Sequence, residues 1–440
     1  MKLQNILSNK ALCIFLVLFL LGAQLSIEFI FLENTLRLSV ADFLLVILCI
    51  PVIFTLEKRD FFELRLMIGI LSILFTFFAL NFMFLKGESY SWALVKVVGI
   101  LILSGMFFVT YLAGKSLTGI ESEKSQYTLL RTILIISVLV AVIGLVFHLY
   151  HRLNASQNNL LNIAYPQRLS GLLRNPNAYG FFLTCMIIFG LAALCKFQAA
   201  SKRLIWLSMF VLLTCLFLTG SRGAMIAYAF VAIVTLVCHP KLISKLVFVT
   251  FMAVLVPVVI GNGFIWLTEI MNSLGVFGGG NTGANIGRAA HNLNPTYLSQ
   301  EVLIQGADVG TIERLKSYKV ALQVWLEHPI FGAGLGYYKN HSLEYAVREG
   351  SLLHNTGLWL LAETGIVGFG LVLLLLVYLF RIFWINRDNW ICFSMGLILI
   401  AAVVMSQTSE IMYQRHLWIF LGFGFAVAVY HQKHKKAELI

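Results

Sequence analysis

Charged side chains are scarce in this sequence. Asp, Glu, Lys and Arg make up 12% of its 440 residues, whereas hydrophobic residues make up 59%. A soluble protein carries about twice that charged fraction. Because so few polar groups cannot cover a water-facing surface, the composition excludes a cytosolic globular protein and a disordered chain. Helices satisfy their own backbone polar groups in lipid, so the sequence predicts an all-α integral membrane protein.

The usual marks of disulfides and metal sites are also lacking. The seven cysteines lie inside or at the ends of apolar segments, without a C-x-x-C pair, and we expect them to be small buried residues. The sequence has no H-E-x-x-H, no D-x-D and no G-x-S-x-G. The glycine-rich segment 278–283 lacks the Lys-Ser/Thr of a phosphate-binding loop. We therefore expect no metal ion and no cofactor.

Apolar segments of about twenty residues, enough to cross a bilayer, recur along the chain. They predict twelve transmembrane helices, at residues 11–32, 38–56, 66–85, 92–113, 131–150, 178–195, 204–220, 223–238, 246–268, 355–380, 390–409 and 417–431. The first is expected to be a retained helix, since a cleaved signal peptide has a shorter apolar region. We expect one polytopic domain, residues 1–440.

A large, partly helical outer loop, residues 262–353, is predicted between the ninth and tenth spans. Within it, residues 311–327 carry apolar side chains at helical spacing. A second, short helix is predicted at 341–348. A loop of this length is expected to form an ordered subdomain.

Basic residues fall into two populations. With the N-terminus inside, 18 of the 32 lie in short inner loops, and twelve of these are lysine; this bias predicts that both termini are cytoplasmic. Thirteen lie on the outer face, and nine of these are arginine, although topology alone depletes both residues there. Because arginine binds phosphate through paired hydrogen bonds, we expect a phosphorylated ligand; lipid headgroups or acidic partners are the alternative.

Three of the outer arginines stand in recognisable surroundings. Arg222 lies between two apolar segments, where an ionisable residue indicates function, although a side chain reaching the headgroups is the alternative. Arg314 lies on the predicted loop helix, where a surface ion pair is the alternative. Arg168 precedes the sixth span, which we expect Asn177 to cap and Pro176 to orient.

His354 stands where the outer loop enters the tenth span. Its ordinary pKa of ~6.5 suits a general base, and a helix N-terminus favours the neutral ring. The alternative is an interfacial histidine that caps the helix. Glu363 lies nine residues further on and is expected to face the protein interior. Lys96, inside the fourth predicted span, is expected to extend towards the outer surface.

These motifs are similar to those of a known family. His354-Asn355, followed by Gly365 and Gly368, is similar to the histidine motif of bacterial O-antigen ligases. Several other segments resemble the wider family of O-antigen ligases and polymerases, and with these the resemblance covers nearly the whole chain: Glu313-Arg314-Leu315, 328–336, 168–177 and 220–223.

The resemblance implies a metal-independent, GT-C-like glycosyltransferase of the bacterial inner membrane, with its active site on the periplasmic face and no cofactor. The donor is a glycan linked to undecaprenyl pyrophosphate. A ligase transfers O-antigen to the lipid A-core of lipopolysaccharide, whereas a polymerase joins lipid-linked repeat units of O-antigen or exopolysaccharide. The large outer loop and the match at His354-Asn355 favour the ligase. A flippase or transporter is disfavoured because the sequence lacks repeats and its charges gather at one face.

The resemblance also assigns roles to individual residues. His354 matches the essential histidine, which activates the acceptor hydroxyl, and Arg222 and Arg314 match arginines that hold the donor pyrophosphate. These three are the predicted catalytic residues. The residues predicted to bind the pyrophosphate or the glycan are Arg168, Arg174, Arg288, Asn355 and Glu410. Direct displacement, with the base on the opposite face of the sugar, would invert the linkage.

Overall fold

Helices dominate the protein as described by a computed structural model. It describes residues 22–23, 26–31, 34–45, 47, 58–83, 90–117, 123–153, 168–173, 175–197, 202–273, 307–341 and 353–438. The helices named below are α1 (Lys58–Met83), α2 (Tyr90–Leu117), α3 (Glu123–Leu153), α4 (Pro176–Lys196), α5 (Lys202–Leu218), α6 (Arg222–Cys238), α7 (Ile243–Ser273), α8 (Ala307–Glu327), α9 (Tyr337–His341), α10 (Thr356–Ile385), α11 (Trp390–Met405) and α12 (Arg415–Glu438).

One short segment departs from the predicted all-helical architecture. Strands β1 (Ser26–Phe31) and β2 (Asn34–Ser39) pair in an antiparallel hairpin. The prediction of helix up to residue 32, and again from 38, is therefore wrong for these strands. The β-branched and aromatic residues of β1 favour an extended chain, a preference that hydropathy alone does not show. Residues 1–21 lie outside the described part of the chain.

Among the residues that the structure describes, six helices are long and apolar enough to cross a membrane. They are Asp60–Met83, Trp92–Lys115, Gln126–His148, Pro176–Lys196, Pro240–Val259 and Thr356–Ile385; Arg222–Cys238 and Trp390–Met405 are apolar but shorter. Ten of the twelve predicted spans, the third to the twelfth, coincide with helices. The structure thus shows a multi-pass helical protein, and six of the predicted crossings meet the length and hydropathy that a span needs.

The chain divides into two compact units, the first of which comprises residues 1–129 and 313–440. In this unit α12 packs along α2, and α10 packs against α1 and α11. The rings of Phe107, Tyr111 and Phe425 fill the contact between α2 and α12. Lys115–Asp60 and Lys433–Glu63 form ion pairs. Each pair joins residues predicted to lie at the same membrane face.

The second unit comprises residues 130–312 and has α4 at its centre. Eighteen of the 21 residues of α4 are buried, as expected of a helix that is apolar on all sides. Helix α4 packs against α5 and α6, and α5 packs against α7. In the described parts of the chain, Cys185, Cys195, Cys215, Cys238 and Cys392 are free thiols.

Candidate functional site

Helix α10 is interrupted at Gly365, whose backbone has φ 63° and ψ −167°. The segment 328–336 fills the interruption. The carbonyls of residues 362–363 accept hydrogen bonds from its amides at 2.9 and 3.1 Å, and the amides of residues 366–367 donate to its carbonyls at 2.9 and 3.2 Å. Segment 328–336 therefore packs against the chain around Gly365 of the histidine motif. This contact satisfies the backbone groups that the broken helix leaves without helical partners.

Glu363 and Asn81 hold this contact from opposite sides. The Glu363 carboxylate is buried and accepts hydrogen bonds from the Gly336 N–H at 2.9 Å and the Trp359 Nε1–H at 2.6 Å. The Asn81 side chain of α1 accepts from the Leu335 N–H at 2.9 Å. The prediction that Glu363 faces the interior is confirmed, and its carboxylate anchors the 328–336 segment.

Asn355, rather than His354, caps α10. The Asn355 side chain accepts a hydrogen bond from the Leu358 N–H at 3.0 Å. The backbone of His354 is held from α8, where the Tyr318 hydroxyl donates to the Gln407 carbonyl at 2.9 Å and to the His354 carbonyl at 3.4 Å. The bond to His354 uses its backbone carbonyl, and the side chain of His354 is exposed.

Three of the predicted residues influence one another electrostatically in the first unit. Partial burial lowers the pKa of His354, the positive charge of Arg314 lowers it further, and the negative charge of Glu410 opposes both effects. Arg314 is exposed on α8. The neutral imidazole, the form that accepts a proton, is therefore favoured at neutral pH.

Lys96 does not extend to the surface as expected. It is 4% exposed, it forms an ion pair with Glu410, and its Nζ lies 4.8, 4.9 and 4.3 Å from the ring centroids of Trp92, Trp359 and Tyr413. The carboxylate and the three rings replace water around the ammonium group. Glu410 thus has an ion-pair partner within the protein, and its role in donor binding stays a prediction.

In the second unit, Arg168 joins two of the sequence motifs. Its Nε donates to the Thr219 carbonyl at 2.8 Å, and its Nη2 donates to the Gly220 carbonyl at 3.0 Å and to Asn177 Oδ1 at 3.1 Å. The Ser221 hydroxyl donates to the same Asn177 oxygen at 3.0 Å. These contacts make Arg168 a structural link between segments 168–177 and 220–223, whereas donor binding by this residue stays a prediction.

Asn177 is therefore not the helix cap that the sequence predicts. Asn175 caps α4, accepting from the N–H groups of Asn177 and Ala178 at 2.9 and 3.3 Å. Pro176 occupies the first turn as expected. The cap lies two residues earlier because the Asn177 side chain is engaged by Arg168 and Ser221.

Arg222 is the first residue of α6 and is exposed. Ser221 caps this helix, accepting from the Ala224 N–H at 3.4 Å. The N-terminus of a helix carries a partial positive charge and unsatisfied N–H groups. An exposed guanidinium at that position suits an anionic ligand, as the sequence predicts for Arg222.

The remaining predictions meet the structure only in part. Arg174 and Arg288 lie outside the described residues. Helix α8 confirms the helix predicted at 311–327. Helix α9 begins at Tyr337, before the short helix predicted at 341–348, and residues 342–352 are not described. Among the described residues, no group of three or more His, Cys, Asp or Glu side chains is placed to hold a metal ion.

Comparison with known proteins agrees with this geometry. The helices define a multi-pass membrane protein. The sequence model of the O-antigen ligase family matches residues 207–373, a segment that contains Arg222, Arg314 and His354. The resemblance to the O-antigen ligase family is therefore confirmed over this segment, and it supports an O-antigen ligase- or polymerase-like function in the membrane. No curated protein was found to match the chain.

Proposed function

We propose that this protein is an O-antigen ligase, which transfers a glycan from undecaprenyl pyrophosphate to a hydroxyl group of lipid A-core. The observation that carries the proposal is His354, whose backbone is held at the start of α10 while its imidazole is exposed and affected by Arg314. A fixed base that is neutral at neutral pH beside a permanent cation is suited to a transfer that releases a pyrophosphate.

In the proposed reaction, His354 takes the proton of the acceptor hydroxyl while the oxygen attacks the anomeric carbon. The bond between that carbon and the pyrophosphate oxygen breaks, and the pyrophosphate leaves with the electron pair. A direct displacement of this kind inverts the linkage. Because pyrophosphate is a good leaving group, the protein has mainly to neutralise its growing charge, which arginines do without a metal ion.

The proposed location is the inner membrane, with both termini cytoplasmic and residues 262–353 periplasmic. The basic inner loops and the acidic donor support this orientation. A cysteine introduced at Lys316, in α8, is expected to react with a membrane-impermeant maleimide added to the periplasmic side. Labelling that requires opening of the inner membrane would contradict the orientation.

Arg222 and Arg168 provide a test of donor binding in the second unit. Arg222→Ala is expected to lower kcat/KM for the lipid-linked donor by about 10- to 100-fold, the effect of losing one charge-assisted hydrogen bond. Its thermal unfolding should stay unchanged, because the side chain is exposed. Turnover at varied donor concentration and an unfolding curve in detergent measure the two effects.

Arg168→Ala is the matched control, because this arginine is engaged with backbone carbonyls. It is expected to destabilise the protein by about 2 kcal/mol, since the carbonyls of Thr219 and Gly220 lose a charged donor. If Arg222→Ala lowers the unfolding temperature as much as Arg168→Ala does, Arg222 is a structural residue and the assignment of donor binding fails.

Ligase and polymerase activities are separated by the acceptor. Purified protein in nanodiscs is supplied with lipid-linked glycan, either alone or together with lipid A-core, and the products are resolved on a gel. A ligase forms polymer-bearing lipid A-core only in the second mixture. Growth of lipid-linked polymer in the first mixture would indicate the polymerase, the alternative that the family allows. Protein with His354→Ala serves as the inactive control.

A further inference from the structure

The pair formed by Lys96 and Glu410 lies next to the segment that holds His354. Thr356, two residues after His354, donates its hydroxyl to the Ser409 carbonyl at 2.9 Å and accepts from the Ile411 N–H at 3.1 Å. Glu410 is therefore flanked on both sides by residues bonded to Thr356. These two hydrogen bonds connect the backbone on either side of Glu410 to the first turn of α10, next to His354.

Lys96 is held by several contacts besides its ion pair with Glu410. Its ammonium group is surrounded by the rings of Trp92, Trp359 and Tyr413, and the Tyr413 hydroxyl donates to the Lys96 carbonyl at 3.1 Å. The Trp359 ring is itself fixed by its hydrogen bond to Glu363. A buried ammonium group fixed in this way needs its carboxylate partner, because an unpaired charge is costly there.

The charged groups around His354 are few among the described residues. Arg314 and Tyr318 face it from α8, and Glu410 faces it from the segment after α11. On the side of Glu410 away from His354 lie Lys96 of α2, Glu363 of α10, Lys339 of α9 and Tyr413. The Nζ of Lys339 is 4.2 Å from the ring centroid of Trp92. Burial first, and then Glu410 and Glu363, raise the pKa of Tyr413, so this phenol stays neutral and leaves Lys96 as the ion-pair partner of Glu410.

We propose that Lys96 is a positioning residue that, through its ion pair with Glu410, holds the segment bearing His354 and sets the pH range in which His354 acts as a base. This inference rests on the proposed role of His354 as the base. Lys96 touches neither donor nor acceptor in this scheme. It acts by neutralising a carboxylate whose charge would otherwise favour the protonated imidazole.

Replacing Lys96 and replacing Glu410 should shift the pH dependence of transfer in opposite directions. A base works when unprotonated, so transfer rises with pH through the pKa of His354. Lys96→Met leaves Glu410 uncompensated, which raises that pKa and moves the rise to higher pH. Glu410→Gln removes the negative charge and moves the rise to lower pH. We expect shifts of about 0.5 pH unit, below those of direct ion contacts, with Lys96→Arg near wild type.

The experiment measures kcat/KM against pH for the wild type, Lys96→Met, Glu410→Gln and the double variant, which is expected to lie between the two single variants. Lys115→Met is the matched control, because Lys115 lies on the same helix as Lys96, at the other end of α2, and forms an ion pair with Asp60 of α1. It is expected to affect stability without moving the pH profile. A Lys96→Met profile that stays in place, or that moves to lower pH, overturns the proposal.

A second readout does not depend on transfer. The rate of carbethoxylation of His354 against pH, followed by mass spectrometry of its peptide, reports the neutral imidazole directly. Opposite shifts in the Lys96→Met and Glu410→Gln proteins support the effect of the ion pair on the His354 titration even if no transfer is found, in which case the proposed function fails. Transfer that is normal while the His354 titration is unmoved overturns the role of Lys96 and leaves the proposed function standing.

Discussion

Replacing His354 with alanine is expected to lower glycan transfer by about 100- to 10,000-fold, the usual contribution of a general base. Without the imidazole, the acceptor hydroxyl keeps its proton during attack. The protein should remain folded, because the described hydrogen bonds at this position use the His354 carbonyl. Single-turnover rates in nanodiscs measure the loss, and an unfolding curve verifies the fold.

His328→Ala is the matched control for this experiment. His328 is also exposed, at the end of α8, and stands in the same family-matched segment. Its removal should leave transfer within about twofold of wild type, as expected for a surface substitution that changes stability little. Binding of the lipid-linked donor to the His354→Ala protein should be retained. Transfer by that protein at a near-normal rate would show that another group, or solvent, takes the proton.

Gly365→Ala is expected to prevent correct assembly of the first unit. The positive φ of Gly365 lies in a region that other residues adopt only at a cost of about 1 to 3 kcal/mol. A methyl group there would also lie 2.3 Å from the Ile330 carbonyl oxygen and 2.5 Å from the Gly332 amide nitrogen. Since the backbone itself must move, the 328–336 segment would leave the interruption. We expect little monodisperse protein, with transfer lost in proportion.

Gly370→Ala is the control in the same helix. A methyl group at Gly370 meets no atom within 4 Å, and alanine favours helix over glycine by about 1 kcal/mol. This protein should be as stable as wild type or more so. The size-exclusion profile and the unfolding temperature in detergent compare the two. Equal behaviour of both variants would mean that the 328–336 segment does not need the break in α10.

Much of the fold could be predicted from local sequence. An apolar segment of twenty residues becomes a helix in lipid whatever its neighbours are, and ten of the predicted spans coincide with helices. The hairpin of β1 and β2 was missed because β1 lies at the end of an apolar segment long enough for a span, while the backbone preference of its β-branched and aromatic residues is extended. The interruption at Gly365 was also missed, since it depends on a partner segment about thirty residues earlier in the chain.

The candidate site was predictable as a set of residue types rather than as a set of contacts. Arg168 and Arg222 both stand in segments that resemble the family, yet one guanidinium is engaged by backbone carbonyls and the other is exposed. Asn81, whose side chain contacts the 328–336 segment, has no local sequence signal. Lys96 has a local signal, because a charge within a span indicates function. Its partner Glu410 is 314 positions away in the sequence, so the ion pair could not be predicted.

The sequence by itself therefore determined the membrane class, the helical segments, the resemblance to O-antigen ligases and the residue types able to bind phosphate or accept a proton. These follow from composition, periodicity and motif, which are local properties of the chain. The tertiary structure decided which arginine is a structural link, which asparagine caps each helix, and that Lys96 is paired beside His354. Those outcomes depend on contacts between distant segments, whose electrostatic and steric effects exist only when the chain is folded.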